Sequence, residues 1–194
     1  MRDKLSVLKE YFGHDSFREG QDRITDSLLG GRDVLGIMPT GAGKSICYQV
    51  PALMFDGITI VVSPLISLMK DQVSALVQSG VAAAYINSSL THAQYLKVLQ
   101  NTESGKYKII YVAPERLCAP AFLGICRNLN IFMVAVDEAH CVSQWGQDFR
   151  PSYLKIPDFI DALNSRPVVG AFTATATGAV RDDIKTLLRL VSPL

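Results

Sequence analysis

Lys44 and Ser45 close the stretch Met38-Pro39-Thr40-Gly41-Ala42-Gly43-Lys44-Ser45. Glycines let a backbone curl so that successive N–H groups face inward and form a nest for an anion. An ammonium at the end of such a nest reaches the outer phosphates of a nucleoside triphosphate, and the next hydroxyl can ligate Mg²⁺. Thr40, Gly41, Ala42 and Gly43 would line the cradle, and a following helix adds its positive dipole end. The general pattern asks for glycine at position 38, where this chain has methionine, but the T-G-x-G-K-S core is intact. The plain alternative is a Gly-rich turn before a helix.

A second set of chemically capable residues lies downstream. The apolar run Phe132-Met133-Val134-Ala135-Val136 ends in Asp137-Glu138-Ala139-His140. A buried strand would set Asp137 at a sheet edge, where it can hold Mg²⁺ directly or through water. Glu138 can then polarise the water that attacks a γ-phosphate. Phosphoryl transfer is mostly positioning and charge neutralisation, so a lysine, a metal held by Ser45 and Asp137, and a water-orienting carboxylate form a sensible minimal set. The competing reading is a strand followed by a solvated acidic turn. His140 has no histidine or cysteine at ligand spacing, so it reads as a hydrogen-bonding relay and not as a metal ligand.

The elements that must position these groups follow from the pattern of apolar residues. Leu5, Leu8 and Phe12 sit at helical spacing before Gly13, and the opening Met1-Arg2-Asp3-Lys4 is amphipathic, unlike a secretory signal. A helix is expected over Asp22–Leu29 and a strand over Val34–Met38. Another helix begins near Gly43, with Pro51 ending or bending it. Ile58–Val62 reads as a strand buried on both faces. Ser63-Pro64 starts a helix that Gly80 stops, and Val81–Ile86 is the next strand. Thr91-His92-Ala93-Gln94 reads as a capping box for a helix to about Asn101. Lys108–Ala113 and Ile131–Val136 are strands with a helical stretch between them. Val168–Thr173 is a further strand, and Thr177 caps a last helix carrying Val180, Ile184, Leu187 and Leu188. Strands alternating with helices imply an α/β domain, a mostly parallel sheet with helices on both faces, whose ligand loops converge at the carboxyl ends of the strands.

Bulk properties set limits. At 194 residues, 48% hydrophobic and 19% charged, the chain is long and apolar enough for a full core. Its net charge of +1 announces no nucleic acid by itself, so a DNA contact must come from a local patch. No stretch approaches the ~20 apolar residues of a membrane span. Cys47, Cys118, Cys126 and Cys141 lack C-x-x-C spacing, so reduced, mostly buried thiols in a cytoplasmic protein are expected, with no zinc.

Taken together, T-G-x-G-K-S, Asp137-Glu138-Ala139-His140 and Thr173-Ala174-Thr175 resemble motifs I, II and III of superfamily 2 helicases. More narrowly, the chain resembles the first RecA-like motor domain of a RecQ-type DNA helicase. That resemblance rests on Phe17-Arg18-Glu19-Gly20-Gln21, on Ser63 through Gln72, on Val112-Ala113-Pro114-Glu115-Arg116-Leu117, and on Cys141 through Pro151. It implies a P-loop NTPase domain over residues 1–194, with ATP and Mg²⁺ as cofactors. It implies that Gln21 reads the adenine edge and Arg18 stacks on its face. His14 stands where a larger aromatic is usual. Ser63, Pro64, Ser67 and Lys70 would border a single-stranded DNA track as motif Ia, and Pro114 and Arg116 as motif Ib. Trp145, Phe149 and Arg150 fall in an aromatic-rich loop suited to base stacking, which is sequence-tolerant. Gln147 stands where a histidine is usual, and glutamine cannot become cationic.

The same resemblance implies a second RecA-like domain that supplies an arginine to the transition state, worth ~10³–10⁵ in rate. No second set of motifs follows Thr173-Ala174-Thr175, so the expectation is the ATP-binding half of a 3′-to-5′ DNA helicase, acting on single-stranded and partly duplex DNA. It would be weak or inactive alone, cytoplasmic, and nucleoid-associated if bacterial. The alternative is a non-hydrolysing nucleotide- or DNA-binding module.

Overall fold

A computed structural model describes residues 3–146 and 148–194. Met1, Arg2 and Gln147, named above, lie outside the described residues. In chain order the elements are α1 (Lys4–Phe12), α2 (Gln21–Leu29), β1 (Val34–Ile37), α3 (Lys44–Met54), β2 (Ile58–Val62), α4 (Ile66–Gln78), β3 (Ala83–Ile86), α5 (His92–Glu103), β4 (Ile109–Val112), α6 (Pro120–Arg127), β5 (Ile131–Val136), α7 (Ile156–Asp161), β6 (Val168–Thr173) and α8 (Gly178–Leu187). Short 3₁₀ turns occupy Pro114–Arg116, Ala139–Val142 and Pro151–Lys155.

Local chemistry sets many of these ends. Asp3 caps α1 by accepting the Ser6 N–H, and Gly13 ends it at φ 72°. Thr91 and Gln94 form the expected capping box. Thr177 caps α8 by accepting the Val180 N–H. One expectation is narrowed and one needs correction. Of the two outcomes expected at Pro51, ending does not occur, since α3 runs on to Met54. Pro51 forfeits one helical hydrogen bond, and the burial of Cys47 to Ala52 around it outweighs that loss. α4 begins at Ile66, not at Ser63-Pro64. Ser63 is still in the sheet ladder, donating its N–H to the Val112 carbonyl, so the chain cannot turn until after it.

All six strands are parallel, in the order β1-β6-β5-β2-β4-β3. Moving from β1 to β2 to β3 the chain steps one way across the sheet; from β3 to β4, β5 and β6 it steps back. Right-handed crossovers therefore send the two sets of connecting helices to opposite faces. Side chains of β5 show the result. Met133 and Ala135 join one core with Tyr48 of α3 and Met69 of α4; Val134 and Val136 join the other with Phe122 of α6, Phe159 of α7 and Ile184 of α8. α7 and the irregular segment before it had no clear periodicity in the sequence.

At the opposite end of the sheet, Asp33 is 2% exposed and its carboxylate accepts four donors. They are Arg166 Nη1 at 3.2 Å and Nη2 at 2.6 Å, the Val169 N–H at 2.9 Å and the Val191 N–H at 2.7 Å. The last residues run beside β1, with the Leu35 N–H donating to the Leu194 carbonyl. Among the described residues no helix is long and apolar enough to cross a membrane.

Candidate nucleotide site and nucleic-acid interface

Strand order converts distant motifs into neighbours. β1 pairs with β6 and β6 with β5, so the carboxyl ends of these three strands lie side by side. They carry, in that order, the Gly41–Ser45 loop, Thr173 to Thr177, and Asp137 to His140. β2 and β4 continue the same edge, with Ser63–Lys70 and Pro114–Arg116 at their ends.

The loop after β1 has Gly41 at φ 82° and Gly43 at φ 80°, conformations that L side chains rarely adopt. A Cβ on Gly43 would also lie 2.5 Å from the Gln21 side-chain nitrogen. Gln21 is 3% exposed, and its amide is engaged on both sides. Nε2 donates to the Ala42 and Gly43 carbonyls at 3.1 and 3.0 Å, and Oε1 accepts the Arg18 N–H at 2.8 Å. The Arg18 guanidinium donates to the Gly41 carbonyl at 2.7 Å. Both residues thus grip the loop's carbonyls, which turns its N–H groups the other way. Both amide hydrogens of Gln21 are taken up by the loop, while Arg18 is exposed with one guanidinium nitrogen engaged. His14 is exposed nearby. Lys44 is folded back, with Nζ 3.4 Å from the Met38 carbonyl.

Asp137 is 6% exposed, and its backbone N–H donates to the Val62 carbonyl at 2.8 Å. Tyr153, fully buried, donates its hydroxyl to the Asp137 carbonyl at 2.8 Å. Burial, and then the charge of Glu138, push the Asp137 carboxyl up to about 6; the Glu138 N–H and the Lys44 ammonium act in the opposite direction. The Tyr48 hydroxyl of α3 interacts with Ser45 and senses the charge of Asp137, so these two oxygen groups share one neighbourhood. A buried, oxygen-rich site with a carboxylate short of cationic partners fits Mg²⁺, a hard cation that favours carboxylate and hydroxyl ligands. Among the described residues no cluster of three or more His, Cys, Asp or Glu could hold a metal ion.

The Asp137 carboxyl binds its proton more tightly in the folded chain than at its ordinary value of 3.8. Folding therefore takes up a proton between pH 3.8 and about 6, and stability falls as pH rises through that window. At pH 7 the ionised carboxylate costs roughly 3 kcal/mol in the ligand-free chain. Asp137→Asn should recover most of it. Urea midpoints at pH 4 and pH 7 without divalent cations test this: the variant's advantage should be present at pH 7 and shrink at pH 4. An advantage independent of pH would place the burden on another group.

Glu138 has φ 48°, one of few non-glycine residues in the left-handed region among those described. Such strain costs of order 1–3 kcal/mol and collects at functional sites. Its carboxylate lies 3.3 Å from His140 Nδ1. The Thr173 hydroxyl donates to the Thr175 carbonyl at 3.0 Å, so toward His140 Nδ1, 2.8 Å away, it can only accept. Nδ1 of His140 therefore carries the proton, and the imidazole links the Asp137-Glu138 turn to the end of β6.

The expected DNA-side residues divide. Ser67 and Lys70 are exposed on α4, while Pro64 and Arg116 are half-buried. Ser63 and Pro114 are buried. Ser63 is 1% exposed, and its hydroxyl has no hydrogen-bond partner. Trp145 is 79% exposed, and Phe149 is half-buried. Arg150 donates Nη1 to the Pro64 carbonyl at 3.2 Å and Nη2 to Asp148 at 2.8 Å, which ties the aromatic loop to the turn after β2. A cavity of about 460 Å³ lies between His140, Trp145, Gly146 and Thr175 to Thr177.

Several positioning residues escaped the sequence reading. Tyr48, Gln49 and Tyr111 are buried polar residues in what read as plain helix and strand. Gln49 Nε2 donates to the Tyr111 hydroxyl and to Gln72 Oε1, each at 2.9 Å, which joins α3 to α4. A glutamine on the buried face of an apolar helix was the available signal.

The DEAD/DEAH box helicase family profile matches residues 18–184. The chain is 52% identical over 180 residues to the ATP-dependent DNA helicase RecQ of Bacillus subtilis, covering 92% of this chain and 30% of that protein. It is 48% identical over 189 residues to RecQ of Pasteurella multocida, covering 97% and 30%. It thus spans about a third of the length of these relatives. Among solved structures, a hypothetical ATP-dependent RNA helicase from Sulfolobus tokodaii matches with TM-score 0.75 at 21% identity, over 97% of this chain and 55% of that one. The DUF1998 helicase MrfA bound to DNA matches with TM-score 0.77 at 16% identity, over 98% and 28%. These two likenesses speak for the RecA-like fold alone. The family profile reaches further: the chain belongs to the DEAD/DEAH box helicase family, and RecQ helicases are among its relatives.

Proposed function

We propose that residues 1–194 form one RecA-like motor domain, the ATP-binding half of a 3′-to-5′ DNA helicase that couples ATP hydrolysis to movement along single-stranded DNA and to unwinding. The carrying observation is the side-by-side arrangement of the Lys44 loop, Asp137-Glu138 and the Trp145 loop on one sheet edge. Lys44, with the N–H groups of Thr40 to Gly43, would hold the phosphates of ATP. Ser45 and Asp137 would hold Mg²⁺, which when bound neutralises phosphate charge. Glu138 would orient the attacking water, and His140 would hold that carboxylate in place. Exposed Ser67 and Lys70, with Arg116, would follow the DNA backbone, and Trp145 would stack on a base. A second RecA-like domain would complete the nucleotide site, and the protein would work in the cytoplasm, at the nucleoid in a bacterium.

The second reading, a nucleotide- or DNA-binding module that does not hydrolyse, has one observation in its favour. Lys44 is folded back onto the Met38 carbonyl, an arrangement that the phosphates of ATP would have to displace. Mg·ATP turnover by this chain, with and without single-stranded DNA and beside Lys44→Ala, tests the first reading. Turnover that rises with DNA and vanishes in the variant is the expected result for a motor domain. ATP binding with no turnover under either condition would mean that a second RecA-like domain must supply the rest of the site, and the module reading would then require turnover to stay absent when that domain is present.

A further inference from the structure

The loop that carries Trp145 hangs from a helix much later in the chain. Ser143 follows the Ala139–Val142 turn and is fully buried. Its hydroxyl donates to Asp183 Oδ2 at 2.6 Å and accepts the Trp145 N–H at 3.1 Å. Asp183 lies on α8, which Thr177 caps immediately after the end of β6. A single hydroxyl therefore joins the turn after Asp137-Glu138, the backbone of Trp145 and the helix that leaves β6. The short distance is typical of a hydroxyl donating to a carboxylate, roughly twice as strong as a neutral pair. The Trp145 ring is 79% exposed, so packing does not aim it. The side from which the ring leaves the chain is set by the Trp145 backbone, and the Ser143 hydroxyl holds that backbone through the Trp145 N–H.

We propose that Asp183, acting through Ser143, is a positioning residue that holds the Trp145 loop in its outward, DNA-facing pose and keeps it in step with α8. This rests on the reading of Trp145 as a stacking platform. Without the carboxylate, the Ser143 hydroxyl is free to rotate, and the Trp145 N–H loses its fixed acceptor. A shift of α8 or of Thr173 to Thr177 would no longer carry the loop with it.

The chain has a single tryptophan, so its fluorescence reads this loop alone. In the ligand-free chain, Asp183→Ala should lower the steady-state anisotropy of Trp145. Asp183→Asn keeps an oxygen that can accept from Ser143 and should stay near the parent. Binding of a single-stranded oligo-dT should weaken about tenfold in Asp183→Ala, the scale of one base–aromatic stack. Mg·ATP binding should not change. In a Trp145→Ala background, Asp183→Ala should add no further loss. Unchanged anisotropy in Asp183→Ala overturns the proposal, and so does a full loss of DNA affinity when Trp145 is already gone. If Trp145→Ala itself leaves DNA affinity intact, it is the stacking reading that falls, and the anisotropy alone decides the role of Asp183.

Discussion

Glu138→Gln should reduce ATP turnover by about 100-fold or more, the usual contribution of a positioned general base. Binding of Mg·ATP should stay close to that of the parent. The amide keeps the shape of the carboxylate but cannot take a proton from water. Glutamine also suits the local backbone no worse than glutamate, so the φ of 48° should persist. Its side-chain oxygen can still accept from His140 Nδ1, which the carboxylate approaches at 3.3 Å. Single-turnover hydrolysis and a nucleotide-binding titration on the same preparations test the two halves of this expectation. Unchanged turnover would remove Glu138 from the mechanism. Loss of nucleotide binding would mean that it shapes the phosphate loop instead.

The second large effect is on stability and lies at the far end of the sheet. Asp33→Ala leaves the Arg166 guanidinium and the N–H groups of Val169 and Val191 without the carboxylate that accepts all of them. The Arg166 side chain is 40% exposed and water can take over its hydrogen bonds, so the loss falls mainly on the two N–H groups left without an acceptor, about 1–3 kcal/mol each. For a chain of this size that corresponds to a fall in melting temperature of roughly 4–24 °C. A neighbouring pair gives the comparison. Arg189 and Asp161 also form an ion pair, but their side chains are 59% and 58% exposed. Asp161→Ala should therefore change stability by less than about 1 kcal/mol. Thermal and urea unfolding of the two variants decide the matter. Equal losses would show that burial of Asp33 is not what gives its contacts weight. At temperatures where both variants remain folded, ATP binding should be unaffected, since Asp33 sits at the opposite end of the strands from Lys44.

Much of the secondary structure was legible because its signals are local. Ile58–Val62 and Ile131–Val136 are apolar at every position, as strands covered on both faces must be. Thr91 and Thr177 cap the helices they were expected to cap. Local rules decided less where a tertiary contact outweighed them. Pro51 was expected to end or bend its helix, and α3 is packed tightly enough to continue through it to Met54. Ser63-Pro64 looks like a helix start, yet Ser63 is still bonded to its neighbouring strand. The same ladder bond explains why Ser63 is buried.

By itself the sequence determined which groups could do chemistry: the Lys44-Ser45 pair after a Gly-rich turn, and two carboxylates at the end of an apolar strand. Those depend on residue type and short spacing, which a linear chain displays directly. Only the tertiary structure decided their order in space. The reversal of direction after β3 inserts β6 between β1 and β5, and so brings the loop after β6 between the phosphate loop and Asp137. It also decided that Gln21 and Arg18 hold the loop's carbonyls, that Tyr153 fixes the Asp137 backbone, and that Asp183 reaches Ser143. Each of these contacts joins residues far apart in sequence. Hydrogen bonds between distant segments leave no period or spacing to read, because their geometry exists only once the sheet has assembled.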